Sequence, residues 1–344
     1  MIKKIKLKNF RIFDDATFDI NNPLVIFSGK NAVGKTSILE SIFLCSTSKS
    51  HRENDLVNLI KNDSLASSCE IVADKSYRVV ISMEEKSYFI NKTLYKRISD
   101  FIGDLKIVMF SPEDLSIIDG AKLIKRRFLD LEISLYDKEY LKNLSLYKKV
   151  LNERNNLLKE EKIDKVYLNL LTDDLAKYLS VVYKKRIEFI DVINNYLKTI
   201  CDDLKIKNIC LEYYPSYDPN DISKSLKGKI DKDILNRNTN IGCHRDYFII
   251  KMDDKDSSIY SSNGEKHLIC IAIKLAIKQY ITTKCNEEPI LLLDDIYQAL
   301  DKEKIKKITE YIKKSKQAII TTTSIIEIPD EILKDALVLR IENK

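Results

Sequence analysis

At 344 residues the chain exceeds the usual single domain, so one large or two modest domains are expected, not a peptide or a repeat array. Its 44% hydrophobic and 32% charged residues describe a charged globular protein that buries roughly 75% of its unfolded surface, which excludes disorder as the main state. Apolar runs such as Leu268 to Ile273 and Ile290 to Leu293 fall far short of the ~20 residues of a membrane span, and a net charge of only +6, from 58 basic against 52 acidic side chains, leaves any nucleic-acid surface to local clustering.

The first residues, MIKKIKLKNF, alternate apolar with basic side chains as a strand does, and no apolar stretch of signal-peptide length follows them. A cytosolic protein is expected. Leu24-Val25-Ile26-Phe27 is a short β-prone run leading into Gly29-Lys30-Asn31-Ala32-Val33-Gly34-Lys35-Thr36, a gapless match to GxxxxGK[ST]. After Ser37, the side chains Ile38, Leu39, Ile42 and Phe43 recur at helical spacing. Strand, loop and helix thus arrive in the order a phosphate cradle needs. The loop amides converge on β- and γ-phosphates, and the helix N-terminus presents the positive end of its dipole. In that chemistry Lys35 reaches the β/γ oxygens and the Thr36 hydroxyl ligates Mg²⁺. Glycine is scarce, seven in the chain, so two in one loop carry information.

Residues 1–112 read as the first half of a mixed sheet with one helix. From 113 to 235 strands largely vanish. Patterns such as Phe128-Leu131-Leu135 and Val166-Leu168-Leu171-Leu175-Leu179, interrupted at Pro215 and Pro219, predict an inserted helical lobe. It is too short and broken for a long coiled-coil arm. From 236 to 344 strands return at Tyr247 to Ile250, Ile290 to Leu293 and Gln317 to Ile320.

Three chemical signals lie in that last stretch. Ser262 and Gly264 precede a helix carrying Leu268, Ile269, Ala272, Ile273 and Ala276 at helical spacing, which makes either a capped helix or a second anion-binding N-terminus. Pro289 to Asp295, PILLLDD, is a continuous apolar run ending in two carboxylates, the form of a strand buried on both faces. There Asp294 would hold Mg²⁺ through its waters, and Asp295 would orient the attacking water or take its proton. The plain alternative is a strand followed by a DD turn. Asp301, ahead of a Lys-rich helix, is an N-cap or a residue reaching across a dimer interface. The long gap between Thr36 and Asp294 argues against a small GTPase or nucleoside kinase and for an ATP-binding head interrupted by a lobe. Seven cysteines, an odd number without a CxxC pair, read as reduced and structural.

Nine pieces in one order carry a resemblance over nearly the whole chain: LKNFRIF (Leu7 to Phe13), GKNAVGKTS, KSHR (Lys49 to Arg52), FSPEDL (Phe110 to Leu115), KRRFLD (Lys125 to Asp130), KVLNERNNLLK (Lys149 to Lys159), GCHRD (Gly242 to Asp246), SSNGE and PILLLDDIYQALD. The sequence resembles the RecF family, relatives of the SMC and Rad50 heads. It departs from that family at Cys243, where proline is usual, and at Glu265 and Lys266, where glutamines are usual. No glutamine stands near Phe110 to Leu115, so Glu113 is the candidate for the Q-loop place. Threonine replaces the histidine that ABC-type heads carry after the last strand, making Thr322 or Thr323 the candidate hydroxyl.

The resemblance implies an α/β fold: an ABC-type P-loop ATPase head of mixed sheets and helices, residues 1–112 and 236–344, with an inserted mostly helical lobe, 113–235. It implies ATP and Mg²⁺ as cofactors, bound by Gly29 to Ser37 and Asp294. It further implies an ATP-dependent homodimer in which Ser262 and Gly264 of one subunit close on the γ-phosphate held by the other. The implied partners are DNA, as duplex and single-strand/duplex junctions gripped by the backbone, together with RecR and RecO; no membrane is involved. The implied role is recombinase loading at gaps, in the cytoplasm on the nucleoid. Asp295 is one methylene shorter than the glutamate usual at its position, so a slow ATPase is expected.

Lys122, Lys125, Arg126 and Arg127 form one basic cluster and Lys184-Lys185-Arg186 a second, while residues 302–316 carry seven lysines against two glutamates. Each is a phosphate track or a solvated helix face. His51 and Arg52, and His244 and Arg245, stay open between a functional contact and packing. Two other classes share the head motifs: a transporter-type ATPase and a DNA-binding protein with a decayed ATPase.

Overall fold

In the computed structural model, which describes residues 1–297 and 300–342, the alternation at the N-terminus is that of a half-buried strand. Strand β1 (Lys4–Phe10) buries Ile5 and Leu7 and exposes Lys6 and Lys8, so one face packs inward and the other meets water. It heads a six-stranded antiparallel sheet with β2 (Phe13–Asp19), β4 (Ala66–Val72), β5 (Ser76–Ser82), β6 (Lys86–Ile90) and β7 (Thr93–Leu94), in the order β2-β1-β4-β5-β6-β7. The continuous apolar runs form a second, parallel sheet instead. Its order is β14-β3-β13-β12-β8, from β3 (Leu24–Ser28), β8 (Ile107–Phe110), β12 (Ile290–Asp294), β13 (Ala318–Thr322) and β14 (Leu337–Arg340). Every residue of β3, β8, β12 and β13 is buried, as expected when both faces of a parallel sheet are covered. The helix Lys35–Thr47 packs against strands of both sheets, and Ile38, Leu39 and Ile42 are wholly buried.

The described chain divides into two compact units. The first comprises Met1–Leu115, Thr199–Ile206 and Ser262–Lys344 and holds both of these sheets; the second comprises Ser116–Lys198 and Lys207–Ser261. The second is mostly helical, with Lys122–Tyr136, Lys138–Leu157 and most of the 40-residue helix Lys165–Leu204. Leu168, Leu171, Leu175 and Leu179 form the buried stripe of that long helix, but Val166 is 72% exposed and lies off it.

The expected return of strands at about 236 differs from what is found. Strand β9 (Ile209–Tyr214) lies inside the span read as helical and pairs antiparallel with β10 (Tyr247–Met252), which pairs in turn with β11 (Lys255–Asp256). Residues 207–261 therefore belong to the second unit, because the backbone partner of Tyr247 to Met252 is β9 and not the parallel sheet. Buried Ile209 and Leu211 alternate with half-buried Cys210 and Glu212, a period-two signal too short to stand out among helices.

Three of the resemblance pieces meet inside this second unit. Arg186 is 1% exposed and donates to Asp130 Oδ1 (2.7 Å), the Tyr140 hydroxyl (3.0 Å), the Tyr213 hydroxyl (2.8 Å) and the Cys243 carbonyl (3.0 Å). Asp246 accepts from Tyr213 (2.6 Å), Tyr217 (3.0 Å) and the amide and hydroxyl of Ser216 (both 2.8 Å), while Arg126 donates to the Asp246 carbonyl at 3.0 Å. Burial raises the cost of ionising Asp130, yet Arg186 and Lys148 hold its carboxyl below the usual range. Arg154, fully buried, donates to Thr172 and Thr239 and pairs with Asp233 at 2.9 Å. His244 packs the same way: one ring nitrogen lies 2.7 Å from the Tyr147 hydroxyl and the other 3.1 Å from the Thr239 carbonyl. Gly242 is required beside it, since at φ +132° a side chain would be strained and a Cβ would come within 2.2 Å of Tyr147 Oη. KRRFLD, KVLNERNNLLK and GCHRD are thus tied into buried polar networks, and Arg186 belongs to a core, not to a basic surface.

Two measurements follow from these networks. Arg186→Met removes the buried cation beside the Asp130 and Asp246 carboxylates, leaving Asp130 only the more exposed Lys148, so urea unfolding should show a loss of about 3–5 kcal/mol with the m-value retained. Burial, assisted by Arg245 and Arg126 against the pull of Thr239 and Asp233, holds His244 down to about 4, against 6.5 ordinarily. The unfolded chain therefore binds the extra proton between these values. The stability that neutral His244 contributes is complete above pH 6.5 and lost as pH falls to 4, on the order of 3 kcal/mol. His244→Gln should flatten that part of a stability-against-pH curve.

Candidate nucleotide site

The phosphate-loop motif lies at the carboxyl end of β3, between that strand and the helix Lys35–Thr47, in the context the sequence predicts. Lys30, Asn31 and Ala32 are exposed, while Val33, Lys35 and Ser37 turn inward. Both loop glycines are demanded by neighbouring chain as well as by any ligand. A Cβ on Gly29 would stand 2.3 Å from the Ile341 carbonyl oxygen. Gly34 has φ +95°, and its Cβ would meet Ile12 and Phe13 at 2.7 Å. The Lys35 ammonium donates to the Gly29 and Lys30 carbonyls at 2.9 and 2.8 Å. Burial lowers its pKa, opposed by Asp295 and Asp294.

The parallel register brings the distant acids to this loop. Strand β13 lies between β3 and β12, pairing Thr322 with Ser28 on one side and Thr321 with Asp294 on the other. Asp294 is 4% exposed. Its carboxylate accepts from the Thr36 hydroxyl, 2.9 Å to Oδ2 and 3.2 Å to Oδ1, and from the Thr321 hydroxyl at Oδ1. Burial raises the Asp294 pKa and the two hydroxyls pull it back. Asp295 has a left-handed backbone, φ 47°, with its amide donating to the Thr321 carbonyl at 3.2 Å. Its buried Oδ1 has no hydrogen-bond partner, and burial raises its pKa, opposed by Lys35 and reinforced by Glu327. A cavity of about 640 Å³ adjoins the loop, lined in part by Gly29, Lys30, Arg340 and the segment after β13.

The sequence did not single out Thr321, whose hydroxyl donates to Asp294. Of the two threonines read for the place of the ABC-type histidine, Thr322 donates locally to the Ser324 carbonyl at 2.9 Å, and Thr323 is exposed. Only the strand register singles out Thr321 from its neighbours. Glu40 is the second omission. It is wholly buried in the loop helix, accepts a two-pronged pair from Arg11 (2.9 and 3.0 Å), and also accepts from the Ser50 hydroxyl. LKNFRIF, through Arg11, and KSHR, through Ser50, are thus tied by that one carboxylate to the helix that GKNAVGKTS opens. An acid inside the buried stripe of Ile38, Leu39 and Ile42 was the available signal. His51 stands edge-on to Phe43 at 5.6 Å with both ring nitrogens buried and unpartnered, and Arg52 pairs with Glu113 at 3.3 Å.

Ser262 is the N-cap of helix Asn263–Cys285 and forms a capping box with Glu265: its hydroxyl accepts from the Glu265 amide at 3.3 Å, and the Glu265 carboxylate accepts from the Ser262 amide at 2.9 Å. Glu265, where glutamine was expected, thus serves the cap. Ser262 is exposed and Gly264 half-buried; the hydrogen bonds of Ser262 run to Glu265 and not to the phosphate loop. Asp301 is also an N-cap, accepting from the Lys304 amide at 2.9 Å, and its residue is exposed. Gln298 and Ala299, in the PILLLDDIYQALD piece, lie outside the described residues. No group of three or more His, Cys, Asp or Glu able to hold a metal occurs among the described residues. The hard oxygen donors Thr36 and Asp294 nevertheless suit Mg²⁺, which is held through one or two carboxylates plus phosphate and water instead of an all-protein cage. Nor is any helix among the described residues long and apolar enough to cross a membrane.

Comparison with known proteins agrees with this geometry. The model of the RecF/RecN/SMC N terminal domain matches residues 1–326. The chain is 38% identical over 325 residues to the DNA replication and repair protein RecF of Acholeplasma laidlawii, covering 94% of this chain and 93% of that protein. It is 35% identical over 340 residues to RecF of Clostridium novyi, with 95% and 94% covered. Among solved structures, that of the recombination mediator protein RecF-ATPrS in the RecFOR pathway superposes with TM-score 0.88 at 28% identity, covering 99% of this chain and 96% of the other. The Smc head of Pyrococcus furiosus, at TM-score 0.55 and 18% identity, shares the fold, with 99% of this chain and 94% of that one covered. The chain belongs to the RecF family of DNA replication and repair proteins.

Proposed function

We propose that this protein is an ATP-dependent DNA-binding protein of recombinational repair and replication-fork maintenance. The observation that carries the reading is the convergence of Thr36, Asp294 and Thr321 from three adjacent elements beside the phosphate loop. Loop amides and Lys35 would bind the β- and γ-phosphates, with Lys35 exchanging its carbonyl partners for phosphate oxygens. Thr36 and Asp294 would hold Mg²⁺, which when bound offsets the charge of those phosphates. Asp295, with one buried oxygen unpartnered and a raised pKa, is suited to orient the attacking water or take its proton.

Two heads would join around ATP, each offering the exposed Ser262 and the half-buried Gly264 to the nucleotide of the other. Asp301 would lie at the same seam, with DNA gripped by the dimer and released on slow hydrolysis. The structures of RecF-ATP and RecF-ATPrS support ATP as the nucleotide, and the RecFOR pathway of those relatives supports RecR and RecO as partners. We place the protein in the cytoplasm on nucleoid DNA, at gaps and single-strand/duplex junctions where recombinase is loaded. DNA contact is assigned to phosphates and not bases, through exposed lysines such as Lys302, Lys306 and Lys314 on helix Lys302–Lys313 and its end. Lys125 is buried and Lys185 pairs with Asp137 and Glu139, so those clusters contribute less than their sequence suggests.

Lys35→Ala should abolish ATP binding in equilibrium titration. Ser262→Arg should retain ATP binding by the monomer while light scattering shows no ATP-dependent dimer; loss of ATP binding in that variant would undo the assignment of Ser262 to the partner's nucleotide. Parent turnover should stay below about 10 s⁻¹, a typical enzyme median. Failure to retain duplex DNA at low salt with ATP present would remove the DNA reading.

A further inference from the structure

We infer that Thr321 is a positioning residue for the Mg²⁺-binding carboxylate, acting through Asp294 and not by touching the nucleotide. The inference rests on the ATP reading above and names a residue that no motif marks. The Asp294 side chain is nearly surrounded by protein, and its carboxylate meets two hydroxyls from opposite neighbours: Thr321 at Oδ1 from β13 and Thr36, closest at Oδ2, from the loop helix. The Thr321 backbone is itself held on both sides. Its residue pairs with Asp294 across one ladder and with Phe27 across the other, and its carbonyl accepts the amide of Asp295. A hydroxyl on so fixed a backbone has little freedom to follow Asp294 elsewhere. Its hydrogen bond therefore selects the carboxylate orientation that leaves Oδ2 turned to Thr36, the other oxygen donor suited to the ion.

Hydrogen bonds that orient a metal-binding group without touching the metal change metal affinity about 10–100-fold when removed. Thr321→Val keeps the β-branched shape in the strand and removes the hydroxyl, which donates to Asp294 and also accepts from the Asp295 amide at 3.4 Å, while Thr321→Ser restores the hydroxyl with a smaller side chain. The experiment titrates a fluorescent ATP analogue onto the full chain, first in EDTA and then over a range of Mg²⁺ concentrations. The valine variant should need at least about tenfold more Mg²⁺ for half-saturation, with EDTA binding unchanged, and the serine variant should stay within about threefold of the parent.

The same Mg²⁺ half-saturation in parent and Thr321→Val overturns the inference, as does an equal loss of EDTA binding, which would mark a merely structural role. Should the valine chain fail to fold, Thr321→Ala carries the same expectations and the same refutation. A parent that binds no nucleotide in either condition overturns the ATP reading itself, and this inference with it.

Discussion

A buried carboxylate held between two hydroxyls organises the nucleotide end of this protein. Asp294 sits at the last position of a strand with no exposed residue, where an ion is stable only if its lone pairs are met. Hydrogen bonds to a charged group contribute about 1.5–3 kcal/mol each, so Thr36 and Thr321 together offset a penalty of several kcal/mol. That balance requires the register of β13 between β3 and β12. A one-residue shift that set Ile320 opposite Asp294 would turn the Thr321 hydroxyl to the other face of the sheet, leaving Asp294 with one donor. Sheet packing and site chemistry are therefore one constraint.

The loop helix carries a second constraint through Glu40. Its two-pronged bond to Arg11 draws the β1–β2 turn onto the helix, and Ile12 and Phe13 of that turn close on Gly34. From the other side, Ile341 donates to the Ser28 carbonyl and presents its own carbonyl to Gly29. The phosphate loop is thus clasped between an N-terminal hairpin and a C-terminal segment. A glycine at each contact lets backbone approach where a side chain would intervene. This explains why the loop keeps its conformation with only two glycines and a left-handed Ala32, φ 66°.

The second unit distributes its charge differently. Arg186, Arg154, Asp130, Asp233 and Asp246 lie inside it, where Arg186 pairs with Asp130 and Arg154 with Asp233 among tyrosine and threonine hydroxyls, and Arg154 Nη2 is left without a hydrogen-bond partner. Residues read in sequence as basic clusters are in part a polar core, and GCHRD is the place where β10 begins and that core closes. Such networks rigidify a lobe because each member left alone would cost several kcal/mol.

Local order was legible in the chain from the start. The P-loop, the buried run ending at Asp294 and the caps at Ser262 and Asp301 depend on neighbours within a few residues, and helical or two-residue periodicity reports them directly. Nine ordered motifs were enough for the family. Strand partnership was not legible, because β10 has the same alternation whether it joins the parallel sheet or β9, and pairing is decided by which edges packing brings together. For the same reason nothing in Thr321-Thr322-Thr323 distinguishes its first hydroxyl from the next two. That distinction, the burial of Arg186 and the role of Glu40 exist only once distant segments share a low-dielectric interior, where a buried charge is stabilised by partners that other segments supply.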